Sequence, residues 1–520
     1  MITSLAIVMM QIGCSGEEEG PPPVSPPEEE PLDSEYYLDF EDLHDGSLYS
    51  YEDGNYEGGY NNEVVVNPYS IVPLTAVLKV KTVPADEVDI RVIGQDGADS
   101  DVSKTVSKRT WHEIPILGLY GGDDEFVNEV EITVRGRMKT IRVKTESLDL
   151  QLPVIGIALE DMSPADSGMH LLEYSFQNPA GFKKRIPLIF DRFGKIRWYH
   201  IPKGGIAIKR IETGYFRFPF QDENKLPRLV REISMLGEEK SCVAIPEEFL
   251  QIHHDLVENP INGNMWITVH GPGEKWGSTV IEMDREGTLI RSWDVGDIVN
   301  EVIGENDIVE VGEDWFHNNS IWYDERDHSL ILSGRNQFVV KIDYETGSIV
   351  WILGDENKAW YDTPLRDYAL EPIEPQDYEP PLGQHNVQLL PKGNLYLFDN
   401  GFDGDEERPD LPDGLGRGYS RGVEYELDEE NMTVRQVWQY GKQRGINMYS
   451  THISGVSCSP NGDRYIVSGV IRQDPYSQVR VVELLSTLEG ERVFEAVLNG
   501  ALSSGRCEAY RGTRIFLYPR

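Results

Sequence analysis

Basic residues are scarce in this chain. Its 520 residues hold 48 Lys and Arg against 89 Asp and Glu, a formal charge of −41. Such a surface repels a phosphate backbone, so nucleic acid is excluded as a partner. Cysteine is rarer still, with 4 in all. Cys242, Cys458 and Cys507 lie far apart, form no CxxC pair and have no histidine at zinc spacing, so no metal site is expected. One disulfide among those three stays open, with no sequence signal to choose the pair. Beyond the first residues, no stretch reaches the roughly 20 apolar residues of a membrane span. No GxxxxGK[ST] loop is present to cradle a nucleotide phosphate, and no cofactor is called for. Histidine is limited to 11 residues.

Turn formers are plentiful, with 49 Gly and 31 Pro, and aromatics make up 10%. That composition suits an all-β protein. The start, "MITSLAIVMMQIGCSGEEEG", resembles a bacterial lipoprotein signal over 1–14, with Cys14 as the lipidated residue. It departs from that pattern in lacking a Lys or Arg before the apolar run and in carrying Gln11. The expectation is an exported protein, periplasmic or tethered to a membrane through Cys14. Residues 15–34 then read as an acidic, Pro-rich tether without the means to form a core.

Residues 35–150 alternate apolar and polar, as in "EVDIRVIGQDG" and "EVEITVRGRMKTIRVKTES", which predicts an antiparallel β-sandwich. Over 151–520 one pattern recurs: aliphatic alternation, often an Asp, a turn, then a strand commonly ending in Trp. It appears as "PLIFDRFGKIRWY", "LVREISMLGEEKSC", "STVIEMDREGTLIRSW", "FVVKIDYETGSIVW", "GVEYELDEENMTVRQVW" and, degenerately, "VRVVELLSTLEGERVFEAV". Six hairpins at about 40 to 60 residues apart, with one larger gap, predict a six-bladed β-propeller.

A second hairpin precedes several of these, and histidine opens it. It starts at His254, ending at His270; at His317, ending at Arg335; and at His385, ending at Asn400. Thr451-His452 holds the matching place in the sixth blade. First strands of a propeller lie innermost and run the same way, so their starts converge on one mouth of the central channel. The return strands end at that level. His254, His317 and His385 are thereby expected at one spot, with Arg335 beside His317, His270 beside His254 and Asn400 beside His385. Asn319 faces as His317 does, because strand side chains alternate with period two. Imidazoles and a guanidinium together suit a tetrahedral oxyanion and a nucleophilic attack on what it carries. His44, His112, His170, His200, His328 and His452 are read as structural.

"EVVVNPYSIVPLTAVL" and "HEIPILGLYGGDDEFVNEVEIT", with "HHD", "DWFHNNSIWYD", "SGRNQFVVKID", "GQHNVQLLPKGNLYLFDNG" and "THISG", resemble bacterial aryl-sulfate sulfotransferases over roughly residues 60–520. The resemblance implies sulfuryl transfer from an aryl sulfate to a phenolic acceptor, without a nucleotide donor, by a ping-pong route through a sulfohistidine. By that likeness His385 is the nucleophile, His254, His317, Asn319 and Arg335 hold the sulfate oxygens, and Thr451 lies in the matching segment. His270 is a weaker substrate contact, inferred from blade symmetry alone. The partners implied are small aryl sulfates and phenols, and the resemblance hints at a homodimer. A sulfate-ester hydrolase, a non-catalytic anion- or protein-binding propeller, and histidines serving as metal ligands are the competing readings. The acidic loops 361–384 and 401–420 flank the predicted mouth as lids, selectors or solvated insertions.

Overall fold

The computed structural model describes residues 30–518 apart from 32–33, 52–63, 150–151, 162–167, 178–182, 202–207, 211–213, 222–223, 273–275, 305–313, 403–415, 474–475, 488 and 501–505. The leader over 1–14, Cys14 and nearly all of the tether over 15–34 lie outside the described residues.

The N-terminal region is one seven-stranded sheet built on two long strands, Thr75–Val92 and Val102–Leu117. Alternation decides which face turns inward: in Phe126–Val134, Asn128, Val130, Ile132 and Val134 are buried while residues between them stay partly or wholly exposed. The long strands pair antiparallel. Two short edge strands, Leu38–Asp39 and Leu48–Ser50, pair in parallel with Thr75–Val92 and Arg137–Thr145, a local departure from the antiparallel expectation. Segments of two and three residues offer few free backbone groups, which blunts both edges of the sheet.

Six further sheets form the propeller. The third blade runs Ile252–Glu258, Met265–Val269, Thr279–Met283 and Leu289–Asp294; the fourth runs Asn318–Asp324, Ser329–Gly334, Phe338–Asp343 and Ile349–Gly354. The fifth is built on His385–Leu389, Leu395–Asp399, Arg421–Asp428 and Thr433–Tyr440, and the sixth opens with Gly455–Cys458. All six hairpins read from the sequence are present. Their recurring Asp has a turn role: Asp284 Oδ1 accepts from the Thr288 amide at 2.7 Å, and Asp343 and Asp191 do the same for Thr346 and Lys195. The recurring Trp wedges between neighbouring blades: Trp293 packs on Tyr344 with ring centroids 5.3 Å apart.

Both ends of the chain close the ring. Val154–Glu160, ahead of the first blade, pairs with Arg492–Asn499 on the outside of the sixth. Arg506–Ile515 pairs with Met169–Gln177 and supplies the innermost strand of the first blade. The N-terminal sheet and this part of the propeller share one apolar core. Buried Arg197 locks the two together, donating to the Gly118 and Ser100 carbonyls with its guanidinium 3.8 Å from the Tyr120 ring centre.

Of the first acidic loop, Leu365 and Ala369 are buried in a blade core, and Glu371–Pro372 adds a parallel strand to the outer edge of the fifth blade. Most of the second, 403–415, lies outside the described residues. Cys242, Cys458 and Cys507 are all free thiols.

Candidate active site

The inner strands do not begin smoothly. Register breaks between Ile252 and Leu256, between Asn318 and Ser320, and between His385 and Gln388, and again between Ala509 and Gly512 on the closing strand. A bulge re-aims side chains next to it, and these four deliver His253-His254-Asp255, Asn319, Asn386 and Tyr510-Arg511 to one end of the channel. In the third blade Thr268 staples the bulge: its Oγ1 accepts from the His254 and Asp255 amides at 2.8 and 2.7 Å. His317 and Asn386 hold left-handed φ of 54° and 56°, a conformation that costs on the order of 1–3 kcal/mol and gathers at functional sites.

His385 is buried. Its Nδ1 sits 2.7 Å from Asn400 Oδ1 and 3.0 Å from the Gly383 carbonyl. Asn400 is oriented unambiguously, because its Nδ2 donates to the carbonyls of Ser450 and Ile453 at 2.7 and 3.0 Å. Two acceptors facing Nδ1 require that nitrogen to carry the hydrogen, so the lone pair of neutral His385 lies on Nε2. Burial above all, then the Arg335 guanidinium, holds the ring well below its ordinary proton affinity. His385 is therefore a neutral imidazole with its lone pair preset on Nε2.

His254 and His317 meet Nε2 to Nε2 at 2.9 Å. His317 Nδ1 bonds the Asp314 carboxylate. Burial works against charge on Asp314, but the hydrogen bond from His317 and the adjacent imidazoles outweigh it, and the carboxyl lies below its usual range. Tyr510 stacks on His254, with centroids 5.4 Å apart at 17°, and meets His385 edge-on at 6.2 Å. Arg511 fixes this corner, donating to Asp255 at 2.6 Å and to the Asn319 carbonyl. Asn319 in turn donates to the Gln384 carbonyl at 2.7 Å and accepts from the Asn386 amide, so it ties the fourth blade to both neighbours of His385. The Arg335 amide donates to the His317 carbonyl at 3.1 Å.

The structure thus brings His254, His317, Asn319, Arg335 and His385 together. Thr451 contacts His452, Oγ1 to Nδ1 at 3.0 Å. Both lie in the turn ahead of the sixth blade's first strand, which starts only at Gly455. His452 faces the same cation as His385: burial first, with Arg335 contributing, pushes its proton affinity down to about 4. His270 stands beside His253 rather than His254, centroids 4.6 Å apart, and its Nδ1 accepts from the Gly277 amide at 2.9 Å.

Sequence reasoning passed over Asp314, His452, Tyr510 and Arg511. The "TH" repeat position could have flagged His452. No local signal marks Tyr510 or Arg511, whose contacts lie about 125 to 255 residues away.

Among the described residues two trios lie close enough to hold a metal ion. Asp324, Asp327 and Glu429 lie on the far side of a blade's hairpin turn with Lys341 already between them; His253, His254 and His317 lie at this site. The 2.9 Å between two Nε2 atoms is shorter than the roughly 3.3 Å implied by two Zn–N bonds at tetrahedral angles. That spacing suits a shared proton, and His253 Nδ1 is already committed to the Asn318 carbonyl at 3.0 Å.

Comparison with known proteins gives a consistent match. The family described as Arylsulfotransferase (ASST) matches residues 161–511, and the arylsulfotransferase Ig-like domain matches 63–151. The arylsulfate sulfotransferase AssT of Escherichia coli O6:H1 is 26% identical over 75% of this chain and 82% of its own length. The AssT of Lelliottia amnigena is also 26% identical, over 77% of this chain and 83% of its own.

Proposed function

Because the chain belongs to the arylsulfotransferase family and is a sulfotransferase, we propose that it moves a sulfuryl group from an aryl sulfate to a phenol by a ping-pong route through His385. The observation that carries the covalent route is the double acceptor at His385 Nδ1, which leaves Nε2 as the attacking nitrogen. Nε2 bonds to sulfur as the S–O(aryl) bond breaks, and a second phenol then takes the group from the sulfohistidine. By analogy with phosphoryl transfer, charge spreads over the equatorial oxygens in a loose in-line transition state. Arg335 is the donor aimed at those oxygens, with His254 and His317 lining the same pocket, and a single preorganised donor is worth about 3–4 kcal/mol. Thr451 borders the same space, and Asn319 acts through the backbone on either side of His385. The reading also includes export and a lipid anchor at Cys14, for which the support is the leader and the acidic tether alone.

Incubation with 4-nitrophenyl sulfate and no acceptor tests the route. Intact-mass and peptide analysis is expected to find one added sulfuryl group, on His385. Release of 4-nitrophenol with the protein mass unchanged would refute the covalent step.

A further inference from the structure

The sulfuryl-transfer reading accounts for His385 and for the donors around it. It leaves open where the proton goes. The aryl oxygen of the donor leaves as an anion unless something protonates it, and the acceptor phenol must lose a proton before or as it attacks. Asp314 has no part in the reading so far, yet it is the carboxylate in direct contact with the imidazole pair.

We propose that Asp314 is a positioning residue that makes His317 Nε2 the proton carrier of both half-reactions. The carboxylate accepts from His317 Nδ1, which fixes the tautomer and leaves Nε2 as the nitrogen that gains and loses hydrogen. In the resting pair one hydrogen lies between the two Nε2 atoms at 2.9 Å; when an aryl sulfate binds, His317 Nε2 keeps that hydrogen and turns it to the aryl oxygen, and His254 Nε2 stays without one. His317 meets the substrate as an imidazolium backed by a carboxylate. As His385 Nε2 bonds to sulfur and the S–O(aryl) bond breaks, the aryl oxygen takes the proton from His317 Nε2. A neutral phenol leaves. In the return step the acceptor phenol gives its O–H proton to His317 Nε2, its oxygen bonds to sulfur and the N–S bond breaks. His317 is again an imidazolium, His385 is again neutral, and no other reactant is required.

Three further observations favour His317 over its neighbours for this task. His254 is held well below its ordinary proton affinity by burial and by the imidazoles beside it, and its Nδ1 has no partner, so nothing stabilises a charge there. His253 is depressed to about 3, chiefly by burial. The fold also makes room for the carboxylate. Gly277 has φ +64°, and a Cβ there would lie 2.7 Å from Asp314 Oδ1 and 3.0 Å from His253 Cε1. Asp314 is further anchored through its backbone carbonyl, which accepts from Asn336 Nδ2 at 2.6 Å.

The test uses the whole protein and a series of aryl sulfates whose leaving phenols grow more basic, from 4-nitrophenol to unsubstituted phenol. Phenol release in a single turnover is measured for wild type, Asp314→Asn and Asp314→Ala, with the His385 adduct followed by mass. A good leaving group needs no proton, whereas a poor one does. Both variants are expected to lose less than about threefold with 4-nitrophenyl sulfate and about 100-fold or more with phenyl sulfate, the range of general acid catalysis. Equal losses along the series would mark Asp314 as purely structural and overturn the proposal, as would no loss at all. Wild type that forms no His385 adduct would overturn the covalent reading itself, a result separable from the slope.

Discussion

Asn400 offers a sharp test of how His385 is set up. Replacing it with Ala removes the 2.7 Å acceptor at His385 Nδ1 but keeps the Gly383 carbonyl at 3.0 Å. In the resting state the loss is one neutral hydrogen bond, about 1 kcal/mol. As the N–S bond forms, the imidazole turns positive and the same contact becomes charge-assisted, worth about 1.5–3 kcal/mol. Only the part gained in the transition state slows the step. The part gained is about 0.5–2 kcal/mol, so the sulfuryl-uptake rate is expected to fall about 2- to 30-fold, since about 1.4 kcal/mol is a factor of ten. Asn400 is bonded to protein atoms on both amide ends, so donor KM is expected to change less than about threefold. The assay is the 4-nitrophenolate burst in stopped flow at saturating donor, with unfolding by urea run alongside. A cost of about 1–3 kcal/mol in stability is expected, because Ile453 loses a buried donor. An unchanged burst rate, or a loss confined to KM, would refute the reasoning.

Acid stability gives a second test. Burial pushes His200 from 6.5 down to about 4, so the unfolded chain binds its proton first. Its contribution is complete above about pH 6.5 and is lost as pH falls toward 4, about 2 kcal/mol between pH 7 and 5. In urea titrations His200→Phe is expected to shrink the loss of stability over that interval by about this amount, and an unchanged difference would contradict it. Arg511→Lys keeps the charge but not the fork that holds Asp255 and the Asn319 carbonyl. A drop of at least tenfold in kcat with a lowered Tm is expected, and unaltered kcat would free the closing strand from any part in the site. Prolonged dialysis against EDTA is expected to leave sulfuryl uptake unchanged; a loss restored by zinc would assign the histidine trio to a metal.

Legibility in the sequence tracked contact distance. The six hairpins were readable because each is local, and its Asp and Trp repeat for turn and packing reasons seen in Asp284 and Trp293. The gathering of His254, His317 and His385 followed from applying one repeat position to successive blades. What stayed hidden came from bulges, which periodicity cannot show. The break after Ile252 puts His253 beside His270, where strict alternation had placed His254. Likewise the sixth blade's first strand starts three residues after His452, so the "TH" pair lies in a turn with Ile453 and Ser454 at positive φ. Asp314 precedes its strand altogether, and Tyr510 reaches the site only through ring closure.

That closure has a bearing on how the protein is made. Tyr510 and Arg511 are the ring that faces His254 and the clamp on Asn319, and both lie on Arg506–Ile515, which follows the sixth blade in sequence and completes the first. A nascent polypeptide that has not reached them lacks one wall of the pocket, however much of it has already folded. The pocket wall is completed only once residues 510 and 511 are in place, and a chain cut ahead of position 510 is expected to lack sulfuryl uptake.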